Sequence, residues 1–469
     1  LSSFAMKTRL LALLWALPFA MAAQTIMHSL PLELQRPIAR QQLLLAPTGA
    51  NGTYLVASDA DRTYLLSYNR ALFFRDSLSV PRPDREYTAM AGYSSDAESF
   101  TVYWTKPDYD KILAYRYNLS TRSVSKSLVS IDYTKQTYLC SFSENNRFYI
   151  VTASDANPSL SFYCFSNGNP EVRAVDLSSY DLEDTRGKKI KLHELLLASG
   201  LQKLDPSLPN PAASATGPVK LYSSPKGFVL TIDINRKQTQ LFEMDPDFRV
   251  TQKTLSFPSL EGAERQNSFF HEGRLYQLLV AEEAMVLTCT DVATGTEIGR
   301  YNATADQDIS FRNSPLLAQV DDSPPNPITG SKRFLRRLSG SSVGLTVYRS
   351  PEDLMVTIGG MRGIATAGDV FLGIAAGTAM VLGGAAADVG AFSESSQFVF
   401  FDALFDDEFR HKDMPPQLLA LDKIGNFAEE EELEGPSASA AYDRDVLFTY
   451  YDRPTKQLIL RRFRDGADE

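Results

Sequence analysis

The 469-residue chain predicts an all-β fold made of seven repeats of a four-stranded antiparallel meander, on three observations. From Gln41 onward, segments rich in β-branched and aromatic residues alternate with polar turns. One position in the second strand of each unit recurs at a near-constant interval. The final unit is one strand short, and the segment ahead of the first unit has no partner of its own.

Residues 87–131 show the unit most clearly. "AMAGYS", "SFTVYWTK", "KILAYRYNL" and "SVSKSLVSI" are separated by "SDAE", "PDYD" and "STR", with Asp, Asn, Pro and Gly marking the turns. Aligned on the second strand, the leading apolar residues are Tyr54, Phe100, Phe148, Phe228, Leu275, Leu354 and Leu447, spaced by 46, 48, 80, 47, 79 and 93. Three intervals fall at a period of about 40–50 residues, and the other three equal that period plus an insertion. Seven units follow.

The last unit supplies only "SASAAYDRD", "VLFTYYD" and "KQLILRRF". "TIMHSLPLE" precedes the first unit, and pairing it as the outer strand of the last would close the sheet and leave no long unpaired edge. This rhythm resembles β-propeller proteins in general, and the resemblance implies a seven-bladed β-propeller of four-stranded antiparallel blades, the last closed by the N-terminal strand. It rests on strand rhythm over 24–469, without WD dipeptides or kelch glycines. The competing arrangement is a pair of β-sandwiches joined by a helical linker.

Residues 1–23 read as a signal peptide: "MKTR" from Met6, the apolar "LLALLWALPFA", and small residues before Gln24. The expectation is a secreted or periplasmic protein. A formal net charge of -10 disfavours nucleic acid as a partner. The basic cluster "KRFLRR", in a Pro- and Ser-rich connection, reads as a solvated loop. Cys140 and Cys164 fall on strands one and three of one unit, about 9–10 Å apart and beyond bridging distance. Together with Cys289 they are expected to be buried, unpaired thiols.

Long insertions are expected at about 181–218, 306–340, 359–395 and 413–437. In a meander, two-three turns and links between units share one face, so all four crowd that face. Such surfaces commonly carry binding. In the first insertion, "KKIKLHELLLASGL" places Ile190, Leu192, Leu195 and Leu196 at helical spacing, with His193 as a surface residue. In the third, residues 370–387 carry no charge. The readings are a long loop, a flap touching a partner or membrane, and a span; a single crossing would part the last unit from the rest and prevent closure.

Candidate binding residues on the crowded face are Asp59, Asp61, Asp108, Asp110, Asp155, Asp233, Asp452 and Arg453. Carboxylates near a common axis can take up a cation, sugar hydroxyls or a proton, and aspartate in a turn also stabilises the turn itself. "GSSVG" satisfies G-x-S-x-G, but a β-run rather than a helix follows Ser342, and His411, expected in an outer strand or its link, is the one downstream histidine. Four histidines without ligand spacing predict no metal site, and no cofactor motif is present. The favoured reading is a non-catalytic propeller binding a protein or carbohydrate partner, without a transmembrane span in the mature chain. The alternative is a propeller enzyme of lyase or glycoside hydrolase type, with carboxylates and tyrosines at the axis.

Overall fold

The computed structural model describes residues 25–320, 323–351, 353–362 and 396–466. The signal segment and the uncharged stretch 370–387 lie outside the described residues. Among those described, strands form seven sheets. Sheet one comprises Gln42–Pro47, Thr53–Ser58, Arg62–Tyr68 and Phe74–Pro81, and sheets two, three and five repeat the same four-stranded antiparallel order.

Burial within a sheet follows strand position. In sheet two the second strand, Phe100–Thr105, is buried throughout, because a neighbouring sheet packs on each of its faces. The fourth, Ser123–Ser130, is largely exposed. A glycine recurs where the first-to-second turn meets the end of the third strand. Gly52 has φ 95°, and a Cβ there would lie 2.1 Å from the Tyr68 carbonyl oxygen; Gly227 has φ 123° and would meet the Met244 carbonyl at 2.1 Å.

Two sheets depart from the expected four strands. Sheet four gains Gln202–Leu204, which runs parallel to its first strand, Val219–Ser224, with Gln202 opposite Lys220 and Leu204 opposite Tyr222. In sheet six the first three strands are Ser342–Arg349, Leu354–Arg362 and Gln397–Phe405. Its outer place is taken by Leu317–Val320, from the insertion that precedes the sheet, with Asn326–Pro327 beyond it. No outer strand forms around His411. The Asp406 carboxylate accepts the amides of Glu408 and Arg410, turning the chain away, and His411 makes a single bridge to Phe405. The third insertion also begins later than expected, since Gly359 and Gly360 belong to the second strand. Their lack of side chains lets the Phe398 ring and Leu338 approach.

Helix α1, Leu192–Ser199, forms where its apolar spacing predicted and buries Leu192, Leu195 and Leu196. The basic cluster is not a loop. It lies in helix α2, Ser331–Ser339, whose Phe334, Leu335 and Leu338 enter the core shared by sheets five and six. Helix α3, Ala420–Glu430, sets Ala420, Ile424 and Phe427 against Val446, Phe448 and Phe463 of sheet seven.

Sheet seven contains Ser437–Tyr442, Asp445–Asp452 and Gln457–Arg464, and its fourth strand is Thr25–Pro31, antiparallel to the last, with Thr25 opposite Arg462 and Pro31 opposite Gln457. Sheets one to six pack consecutively through shared apolar clusters, and sheet seven packs on sheet one through Leu447 and Leu458 against Leu43, Leu45 and Leu55. Between sheets six and seven, Tyr348 Oη donates to Asp465 Oδ2 at 2.6 Å. Cys140, Cys164 and Cys289 are unpaired, and burial pushes their thiols up to about 12, 11 and 11.

Candidate functional site

The candidate acids fall into three environments. Asp233 lies within the strand Gly227–Asn235 rather than in the turn after it, and is 2% exposed. Lys220 Nζ, itself fully buried, donates to Asp233 Oδ2 at 3.1 Å, Thr239 Oγ1 donates at 2.8 Å, and the Ser268 amide donates at 2.9 Å. Burial pulls the Lys220 ammonium below its ordinary value while the Asp233 carboxylate works the other way. Ser268 belongs to sheet five, so one carboxylate ties two sheets together.

Asp59 and Asp452 serve their own turns. Asp59 Oδ1 accepts the amides of Asp61 and Arg62, both at 2.8 Å, and Oδ2 accepts that of Gln35 at 3.0 Å. Asp452 accepts from Thr455 Oγ1. Asp61 and Asp108 are exposed, and Asp110 has one buried carboxylate oxygen without a hydrogen-bond partner among the described residues. The third environment is contact with the insertions. Asp155 Oδ1 lies 3.0 Å from His193 Nε2 on α1, and Arg453 Nη1 lies 3.4 Å from Glu434 Oε2. Apart from the Asp61 amide on Asp59, none of the eight hydrogen-bonds to the side chain of another among the described residues, and no three His, Cys, Asp or Glu side chains there group as metal ligands. These residues sit on five different sheets or their turns.

The insertions nonetheless meet the two-three turns. Thr185 Oγ1 accepts the Arg236 amide at 3.1 Å, and Lys332 approaches Glu283 at 3.8 Å. With the His193 and Glu434 contacts, three of the four insertions touch such turns.

The second half of the first insertion goes elsewhere. Residues 202–217 form a hairpin between the first strands of the sheets. Lys203 Nζ donates to Ser223 Oγ at 2.7 Å, lies 3.9 Å from Glu144 Oε2 and sits over the Phe142 ring. Burial, then Glu144 and Asp205, raise the Tyr93 phenol well above its ordinary value. Leu208 packs with Val446 and Phe448 of sheet seven. On the return, Asn267 Nδ2 donates to the carbonyls of Ala215 and Val343 at 2.9 and 2.8 Å, and a Cβ on Gly344 would lie 2.0 Å from the Ala212 oxygen. The hairpin thus touches first strands of sheets three to six and the second strand of sheet seven. Sequence reading placed this segment on a face. The signal for burial was the run of small residues Ala212, Ala213, Ala215 and Gly217, of which Ala212 lies against Gly344 of "GSSVG", whose Ser342 opens a strand and forms no nucleophile elbow.

A crevice of about 690 Å³ opens between sheets five and six at the far ends of the strands, lined by Arg274, Arg300, Tyr301, Asp407, Phe409 and Arg410. Its charges are largely answered within the chain. Arg300 binds Glu297 at 3.0 and 2.7 Å, Arg274 Nη1 donates to the Asp407 carbonyl at 2.6 Å, and Arg349 pairs with Asp407. Near it His271 is 3% exposed; neither ring nitrogen has a hydrogen-bond partner among the described residues, and Glu272 Oε2 lies 3.7 Å from Nε2.

Burial, and less strongly Arg349 and Arg274, lower the His271 pKa from 6.5 to about 4, against the opposing pull of Glu272. A depressed histidine keeps its ring neutral in the fold, so its contribution is complete above pH 6.5 and is lost as pH falls towards 4. The loss approaches about 3 kcal/mol. Urea unfolding at pH 7 and pH 4.5 is expected to show a steeper loss for the native chain than for His271→Phe. Parallel losses would refute the assignment.

No protein-family model and no curated protein matches the chain. Among solved structures, it is similar to a prolyl endopeptidase at 10% identity and TM-score 0.28, covering 67% of this chain and 38% of that one. It is similar to the Dos1 propeller at 9% identity and TM-score 0.28, covering 66% and 64%. It is also similar to the WD40 domain of SCAP from fission yeast, at 12% identity and TM-score 0.30, covering 92% and 86%. The chain spans less than two thirds of the length of the first two. Superpositions this loose carry no functional argument.

Proposed function

We propose that the chain is an exported, seven-bladed β-propeller that binds a protein or carbohydrate partner through the face on which its insertions stand, without catalysing a reaction. The sheet order and the pairing of Thr25–Pro31 with Gln457–Arg464 support the ring. The observation that carries the function is the hairpin 202–217. A propeller enzyme would hold its substrate at the axis, between the first strands; on this reading that space is taken by Lys203, Leu204, Leu208 and Ala212, which pack against strands of sheets three to seven. Binding is left to the outer surface, where α1 and the ends of two further insertions meet the two-three turns. The outward position of Asp61 and Asp108 supports the same face.

Photo-crosslinking side chains introduced at Asp61 and Arg186 test the reading against controls at Asn145 and Lys226 in the opposite turns. Adducts with protein or glycan from the secreting host are expected from the first pair. Adducts confined to the second pair would overturn it.

A further inference from the structure

Helix α2 carries more positive charge than its fold and its neighbours explain. Its apolar side, Phe334, Leu335 and Leu338, is spent entirely on the core. Lys332, Arg333 and Arg336 are exposed and Arg337 partly so, in a chain of net charge -10. Cations in a last turn oppose the negative end of a helix and stabilise it, which accounts for Arg336 and Arg337. Lys332 and Arg333 stand in the first turn, where the helix dipole disfavours cations, and no acidic residue accompanies them. Arg333 also stands three and four positions from Arg336 and Arg337, a like-charge spacing that costs helix stability. Among the described residues no carboxylate forms an ion pair with Arg333, Arg336 or Arg337, and the Lys332 to Glu283 contact is 3.8 Å between exposed side chains.

We infer that the outer side of α2 is a docking surface for an acidic segment of a partner protein, which would neutralise the Lys332, Arg333 and Arg336 cluster. This rests on the reading of the insertion face given above and narrows its partner. Charge complementarity argues for carboxylates: a guanidinium binds one through two parallel hydrogen bonds, and three or four cations along a helix about 13 Å long match a short acidic run. An anionic lipid surface fits less well. No apolar side chain points outward from α2 to enter it, and charge alone supplies about 1 kcal/mol per basic residue.

The test is binding of a fluorescent Asp/Glu-rich decapeptide to the whole chain and to Lys332→Gln/Arg333→Gln/Arg336→Gln, which keeps good helix formers on exposed positions. The native chain is expected to bind the peptide, with affinity that falls at least about tenfold in the triple variant and weakens as salt rises. The unfolding midpoint of the triple variant should not fall. Arg333→Glu alone should weaken binding in the same direction. Equal binding by native and triple variant would overturn the inference, as would binding to phosphatidylserine vesicles without binding to the peptide. If the peptide fails while crosslinks from Asp61 and Arg186 persist, the acidic partner is refuted and the insertion face stands.

Discussion

Asp233→Ala is expected to lower folding stability by about 3–5 kcal/mol, the cost of leaving a buried charge without its partner. The substitution strands the Lys220 ammonium, which is fully buried, and removes the acceptor for Thr239 Oγ1 and for the Ser268 amide at once. Lys220→Met should cost less, since Asp233 keeps the Thr239 and Ser268 donors. Lys220→Met/Asp233→Leu should recover part of the loss, because an apolar pair of similar volume avoids the desolvation of both ions. Urea melts of the four proteins measure this. A loss below about 1 kcal/mol for Asp233→Ala would mean that the network does not clamp sheets four and five.

Removal of the strand Thr25–Pro31 is the second large effect. Met27 and Leu30 pack beside the core of sheets seven and one, and their loss alone costs about 2–4 kcal/mol. The larger consequence is the bared edge of Gln457–Arg464, whose amides and carbonyls would face water along a strand that ends a sheet. The shortened chain should unfold at lower urea and aggregate at concentrations where the full chain remains dispersed, as light scattering during refolding would show. Unchanged stability and dispersion would contradict the role given to this strand.

The parts of the fold that sequence disclosed are those set by local pattern. All seven leading apolar residues, from Tyr54 to Leu447, fall in second strands, because alternation and turn residues are local signals. What escaped depends on partners distant in sequence. Leu317–Val320 fills the outer edge of sheet six ahead of that sheet's own first strand, and no periodicity reports such a reversal. Gln202–Leu204 is three residues long and gains its strand character only by lying along Val219–Ser224. Helix α2 was within reach: Phe334, Leu335 and Leu338 have helical spacing, and the Pro and Ser around them drew attention to a loop instead. The candidate site was read least well. An aspartate serving a turn and an aspartate binding a partner look alike in sequence, and Asp233 proved to be neither, being buried against a lysine.

The hairpin and the ring explain each other. In the proposed ring an axial space would have to be filled by side chains, water or chain, and residues 202–217, which pack against first strands of sheets three to six, would fill it.

The ring is tested most directly by joining its ends. Ser29 and Ile459 stand opposite each other in the antiparallel pairing of the first and last strands, and cross-strand neighbours have Cβ atoms about 4.5–5.5 Å apart, near enough for a disulfide after small adjustment. Ser29→Cys/Ile459→Cys should oxidise to an intramolecular bridge that increases mobility on a non-reducing denaturing gel and is reversed by reductant. Two cysteines that stay reduced in the folded protein, or that bridge only between chains, would show that the N-terminal strand does not close the seventh sheet.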